Sequence, residues 1–155
     1  MASGKLQGLG LPATDYSRLE QEFSDIILQM VQVNGSMVKP IHHIKFKNGY
    51  YMEAEEVIIL SNREIGLYYY NLYDSNGQAI LKFHSERHSD RRYQTNTEPF
   101  HIHKPPSVEL STMDRMDNNY HQDLYSILES LQILFVVLEH QNNTVQKEVE
   151  ESKKK

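Results

Sequence analysis

Cysteine is absent from this chain of 155 residues. Its absence excludes disulfide frameworks, thiolate zinc sites and cysteine nucleophiles, and it fits a reducing compartment. Long hydrophobic runs are also missing, because the longest, Ile133 to Leu138, is far shorter than the roughly 18 residues that a membrane-spanning helix needs. The N-terminal stretch MASGKLQGLGLP has no continuous apolar segment of the signal-peptide kind. We therefore expect a cytoplasmic protein without a membrane partner.

The common nucleotide and nucleophile motifs are missing as well. The chain has no G-x-x-x-x-G-K-[ST] loop, no G-x-G-x-x-G motif and no G-x-S-x-G motif. This disfavours nucleotide hydrolysis, dinucleotide redox chemistry and α/β-hydrolase chemistry, and we expect no cofactor. A hydrophobic content of 39% and a net charge of -5 are ordinary for a globular protein and identify no partner.

Composition divides the chain into three parts. Residues 1–14 are rich in glycine and other small residues, and residues 141–155 are polar and charged without an apolar period. We expect a flexible segment over 1–14, a single domain over 15–140 and a flexible charged tail over 141–155.

Two amphipathic helices are predicted at the ends of the domain. In DYSRLEQEFSDIILQMVQV, apolar residues recur at three- and four-residue steps from Leu19 to Met30, behind Thr14 or Asp15 as N-cap. A second helix is predicted from about Asp117 to His140, where leucine, isoleucine and phenylalanine form a wide apolar face.

The middle of the chain has the pattern of antiparallel strands. Asn48-Gly49 and Asn76-Gly77 each lie between runs of β-forming residues, which is a strong hairpin signal. Prolines around His101 to His103 favour an extended backbone there. The sequence therefore predicts an α+β fold, in which an antiparallel meander of four to five strands packs against an N-terminal and a C-terminal helix.

The segment KFHSERHSDRRYQTNTEPFHIHKPP holds the candidate functional residues. It contains four of the eight histidines and is locally basic. Metal-free RNA cleavage needs a base for the 2′-hydroxyl proton, an acid for the leaving oxygen and a cation beside the phosphorane, and histidine titrates closest to neutral pH. Arginines would hold phosphates, and an aromatic ring would stack on a base. The predicted catalytic residues are His88, His101, His103 and Lys104, and the predicted substrate-binding residues are Arg87, Arg91, Arg92 and Tyr93.

Two alternatives stay open for this segment. The first is a metal site, because histidines two apart in a strand leave the same face. His101 and His103 would then be joined by His84 or His88 and by a carboxylate from Glu86, Asp90 or Glu98. No fixed metal signature is present, so we predict no metal site. The second alternative is a solvated loop or a binding module without catalysis, which holds nucleic acid or a protein.

The order of motifs resembles the TumE-type toxin family of bacterial toxin–antitoxin modules. Members typically show an aromatic Tyr-x-Tyr strand, a D-x-x-G turn, an apolar strand, a short polar motif ending in histidine, and a motif of the F-P-H-H-K-H type. The similarity covers roughly Ile41 to Ser107. The matching elements are Tyr68 to Tyr70, Asp74 to Gly77, Ile80 to Phe83, His84 to His88, and Phe100 to Lys104.

The resemblance implies a small cytoplasmic toxin that acts on RNA and is neutralised by a cognate antitoxin protein, with a homodimer left open. It places His88 at the histidine that ends the polar motif, and His103 with Lys104 at the His-Lys pair. The chain departs from the family at His84, where aspartate is usual, and at Arg87, where proline is usual. A diverged relative without activity is therefore a further alternative.

Overall fold

The fold is taken from a computed structural model, which describes residues 5–104 and 115–154. The strands are β1 (Ile27–Gln32), β2 (Ile41–Phe46), β3 (Tyr51–Ile59), β4 (Glu64–Tyr73), β5 (Ala79–His84), β6 (His101–His103) and β7 (Arg115–Asp117). The helices are α1 (Tyr16–Glu22) and α2 (Leu124–Lys153), with a 3₁₀ helix at Arg91–Tyr93.

The strands form one antiparallel sheet of seven, in which each strand pairs with the next along the chain. The predicted α+β class and antiparallel meander are therefore confirmed, but the predicted number of strands is too low. The four strands deduced from the turns are β2 to β5. The sequence underestimated the sheet because β7 has three residues and β1 lies inside the segment predicted as a helix.

Both asparagine-glycine turns form the predicted hairpins. Gly49 and Gly77 have φ angles of 90° and 80°, a left-handed conformation that glycine adopts without steric cost. In the second turn, an Asp74 carboxylate oxygen accepts hydrogen bonds from the backbone N–H groups of Asn76 and Gln78. These turns fix the register of β2 with β3 and of β4 with β5, and so decide which side chains of each hairpin share a face.

The N-terminal helix is much shorter than predicted. It ends at Glu22, and the residues predicted to continue it form β1, which pairs with β2 from Ile27↔Phe46 to Gln32↔His42. Leu19, Phe23 and Ile26 are all buried as the apolar spacing required. The same apolar spacing is compatible with a short helix followed by a turn and a strand. The strand is favoured after the turn because its backbone forms hydrogen bonds with β2.

Helix α2 begins later and ends later than predicted. Asp123 is its N-cap and accepts a hydrogen bond from the Ser126 N–H at 2.7 Å. The helix continues to Lys153, through most of the segment predicted as a flexible tail, with exposed side chains there. Among the described residues, no helix is long and apolar enough to cross a membrane.

The hydrophobic core lies between α2 and one face of the sheet. Phe135 of α2 meets Phe46 and Tyr50 edge to face, with ring centroids 5.2 and 5.5 Å apart. Side chains alternate along each strand, so the neighbours of core residues point to the opposite face. We call that opposite side of the sheet the outer face.

A buried carboxylate joins the segment before α1 to the sheet. Glu56 is only 1% exposed and accepts hydrogen bonds from the hydroxyls of Tyr70 at 2.7 Å, of Tyr16 at 3.1 Å and of Thr14. Upstream, the Leu9 N–H donates to the Ile65 carbonyl at 2.9 Å. Whether residues 1–14 are flexible stays a prediction.

Candidate functional site

Strand pairing collects polar side chains on the outer face of β4 to β7. His84 of β5 lies opposite His101 of β6, and Lys82 lies opposite His103. His103 in turn lies opposite Arg115 of β7. Paired residues of an antiparallel sheet leave the same face, so the three histidines and both cations are neighbours. We call this part of the outer face, which carries His84, His101, His103, Lys82 and Arg115, the floor of the candidate site.

The segment 85–100, which we call the covering segment, packs over this floor. The Tyr69 hydroxyl donates to Glu86 at 3.1 Å, and the Asn96 backbone N–H and side-chain amide donate to Asp117 at 2.9 and 3.1 Å. Arg115 donates to the Tyr93 carbonyl at 3.0 Å. These bonds hold the segment against the outer face, so it is not a loop that projects into solvent.

His88 is brought back to the sheet by this segment. Its backbone N–H donates to Glu98 at 3.2 Å, and its ring lies 5.3 Å from the ring of His101 between centroids. Its Nε2 is 3.6 Å from a Glu86 carboxylate oxygen. The structure therefore joins the predicted catalytic residues His88, His101 and His103 in one place.

We define the histidine cluster as His84, His88, His101 and His103. Besides the His88–His101 pair, ring centroids are 4.8 Å apart for His84 and His103, 5.0 Å for His101 and His103, and 5.8 Å for His84 and His101. His101 and His103 are 0% exposed and His84 is 5% exposed. His88 is half-buried and so is the member most open to solvent.

Burial holds the three strand histidines in their neutral form at pH 7. It lowers the pKa of His84 to about 2 and that of His103 to about 4, with neighbouring histidines, Lys82 and Arg115 adding positive charge that acts in the same direction. Burial also lowers the pKa of His101, against the opposing hydrogen bond to the Pro99 carbonyl. A neutral imidazole offers one lone pair for a proton or a metal ion.

Hydrogen bonds decide which nitrogen is free. His101 Nδ1 donates to the Pro99 carbonyl at 3.1 Å, which leaves Nε2 with the lone pair. His84 Nε2 lies 2.9 Å from the Asn71 side-chain oxygen, which leaves Nδ1. Within the described residues, those two remaining nitrogens and both nitrogens of His103 are buried without a hydrogen-bond partner. His88 Nε2 is likewise buried without a partner in the part of the chain that the structure describes. The site thus gathers unsatisfied ring nitrogens, and buried polar groups rarely remain unsatisfied without a ligand.

The predicted cationic and substrate-binding residues lie outside this floor. Lys104 follows β6 and is exposed, as are Arg87 and Arg91 on the covering segment. Arg92 is exposed and pairs with Asp90 at 2.7 Å. The half-buried Tyr93 ring lies 5.6 Å from the Arg92 guanidinium and 5.5 Å from that of Arg115. Their roles stay predictions.

Sequence reasoning missed other members of the site. His84 and Glu86 entered only the metal alternative, and Arg115 and Lys82 were not proposed for any role. Arg115 carries no signal in the sequence, because β7 is too short to show a period and its pairing with β6 depends on the fold. Lys82 and His84 alternate with Phe83, a pattern that places them on the face opposite the core once Phe83 is known to be buried.

Comparisons with known proteins identified no relative. No family model, curated protein or solved structure matches the chain. The resemblance to the TumE-type toxins therefore depends on the motifs in the sequence alone.

Proposed function

We propose that the protein is the toxin component of a bacterial toxin–antitoxin pair and cleaves RNA at the histidine cluster. The motif resemblance supports the toxin part of the proposal. The histidine cluster supports the chemical part, since its imidazoles lie near the Glu86 carboxylate and near the cations Lys82 and Arg115 on the outer face. The cytoplasm, where RNA is abundant, is the proposed compartment.

The observation that carries the proposal is the position of His88. His88 and His101 are thirteen positions apart in the sequence, yet their ring centroids are 5.3 Å apart. A histidine of a merely solvated loop has no reason to return to two buried histidines. The His88 side chain is 15% exposed, and its Nε2 is buried without a hydrogen-bond partner among the described residues, so this nitrogen is free to exchange a proton with a bound substrate.

The chemistry divides among the residues as follows. His88 takes the proton of the ribose 2′-hydroxyl and, as an imidazolium beside Glu86, gives it to the 5′-oxygen that leaves as the P–O5′ bond breaks. Arg115 and Lys82 place positive charge near the histidines, where charge develops on the phosphorane. Arg115 thus joins Lys104, which the sequence predicted as the cation beside the phosphorane. His101 and His103 form the centre around which these groups are arranged.

The exposed arginines of the covering segment bind the phosphates of the incoming RNA. Arg87 and Arg91 are exposed, and an exposed ion pair such as Arg92–Asp90 exchanges readily for a phosphate contact. Tyr93 and the neighbouring guanidinium groups of Arg92 and Arg115 are planar groups on which an unpaired base can stack. Single-stranded RNA is the substrate that fits such a surface.

Exposed apolar side chains fit the proposed antitoxin partner. Ile133, Val136 and Val137 on α2 are 70%, 66% and 47% exposed and lie on the side of the helix away from the core. Adjacent exposed apolar residues often mark protein interfaces. A second copy of the chain is the alternative occupant of this surface.

Purified protein incubated with end-labelled single-stranded RNA tests the proposal. We expect multiple turnovers on RNA and none on DNA of the same sequence, because DNA lacks the 2′-hydroxyl nucleophile. Expression of the protein alone is expected to arrest bacterial growth, and co-expression of the protein encoded by the adjacent gene is expected to restore it. Stoichiometric RNA binding without turnover would instead identify a binding module.

A further inference from the structure

The three buried histidines and Glu86 have the arrangement of a metal site. Each of these residues offers one ligand atom, and the four atoms all lie within 4.8 Å of one another. In a tetrahedral site with metal–ligand distances near 2.1 Å, donor atoms are about 3.4 Å apart. Side-chain rotations that move each donor by about 1 Å would close the set around an ion.

The scaffold fixes three of the four donors. His84, His101 and His103 come from paired positions of β5 and β6 on one face of the sheet. They are at most 5% exposed, so their rings have little freedom to turn away. Ligands on strands are placed more precisely than ligands on loops. The fourth donor, Glu86, comes from the covering segment.

Outer hydrogen bonds already orient the ligands. In metal sites a ligating histidine usually donates its other ring N–H to a carbonyl or carboxylate. His101 does this to the Pro99 carbonyl, and His84 Nε2 meets the Asn71 side-chain oxygen. Glu86, in turn, accepts a hydrogen bond from the Tyr69 hydroxyl, which orients its carboxylate. His84 Nδ1, His101 Nε2 and both nitrogens of His103 are buried without a partner among the described residues, so each of the three rings has a nitrogen available to an ion.

We propose that the three buried histidines and Glu86 bind one divalent transition-metal ion of the zinc class. Three imidazole nitrogens favour Zn²⁺ and its first-row neighbours over Mg²⁺ or Ca²⁺, which prefer oxygen ligands. Glu86 offsets part of the charge of the ion, and Lys82 and Arg115 are the positive groups that oppose it. His88 stays outside the ligand set and remains free to transfer protons.

This inference stands apart from RNA cleavage, because metal binding is measured on the protein alone. Titration calorimetry of the chelator-treated full chain with Zn²⁺ is expected to give one ion per chain. With Co²⁺ in its place, we expect the visible absorption of a four-coordinate ion. Zn²⁺ is also expected to raise the melting temperature, since it binds only the folded chain tightly.

Three variants assign the site. His103→Ala and Glu86→Gln remove proposed ligands, so each is expected to weaken Zn²⁺ binding by at least the roughly 10- to 100-fold that loss of an outer hydrogen-bond partner of a ligand costs. His43→Ala is the matched control, since His43 lies on the outer face at β2 and pairs with Glu53 at 3.3 Å. Its affinity is expected to equal that of wild type. If His103→Ala does not fold, Glu86→Gln decides, because Glu86 belongs to the covering segment.

Absence of binding by the wild-type chain would overturn the inference, as would equal affinities of wild type, His103→Ala and Glu86→Gln. A loss in His43→Ala alone would place the ion at His43 on β2 and would also overturn it. Zinc binding without RNA turnover would refute the proposed function and leave the metal site. RNA turnover that a chelator does not slow, together with no zinc binding, would support the proposed function and refute the metal site.

Discussion

The His88→Ala variant is expected to cleave RNA about 100 to 10,000 times more slowly than the wild-type protein, the range by which positioned acid–base groups accelerate reactions. His88 is the least buried member of the histidine cluster and lies beside both Glu86 and His101. Because it is outside the proposed ligand set, its removal leaves any bound ion in place. The single-turnover rate on end-labelled RNA measures the effect, and loss of growth arrest is its counterpart in cells.

His43→Ala is the control for this loss. His43 also lies on the outer face and near a carboxylate, Glu53, but on a strand remote from the cluster. We expect its cleavage rate to stay within about twofold of wild type, as for a surface substitution away from the chemistry. Equal rates for His88→Ala and wild type, in proteins with the same circular dichroism spectrum, would remove His88 from the reaction.

Ile127→Ala is expected to lower the free energy of unfolding by about 2–5 kcal/mol, as large-to-small substitutions in cores do. Ile127 is 0% exposed on the face of α2 that packs against the sheet. The substitution leaves a cavity between the helix and the core face. Urea unfolding followed by circular dichroism gives the value, with an unchanged dependence on denaturant showing that only stability differs.

Ile133→Ala makes the same chemical change on the other side of the helix. Ile133 is 70% exposed, so its removal forms no cavity, and alanine is the better helix former. We expect a change within about 0.5 kcal/mol of zero. Similar losses from both substitutions would mean that α2 does not bury the face described for it.

The parts of the fold that the sequence predicted well are those governed by local chemistry. Asn48-Gly49 and Asn76-Gly77 specify tight turns in a few residues, and both turns form hairpins. The apolar period of α2 likewise identifies its buried face. The N-terminal helix was overextended because Leu19, Phe23 and Ile26 satisfy a helical spacing, while the choice between helix and strand was made by β2, a remote partner.

The candidate site was predictable only where it depends on strand alternation. His101 and His103, two residues apart, were expected on one face, and β6 places them so. The approach of His88 depends on the path of the segment 85–100, and the inclusion of His84 depends on the register of β5 with β6. Arg115 depends on β7, which short-range patterns do not reveal.

Histidine ring NMR tests the central claim most directly, because the eight histidines sample both the cluster and the rest of the fold. The metal-free protein is titrated with a 2′-O-methyl RNA oligonucleotide, which binds but lacks the nucleophile. We predict that the ring signals of the histidine cluster shift on binding, while those of His42, His43 and His140 stay in place. Shifts confined to His42 and His43, with the cluster unchanged at saturation, would contradict the assignment of the cluster as the place where RNA meets the protein.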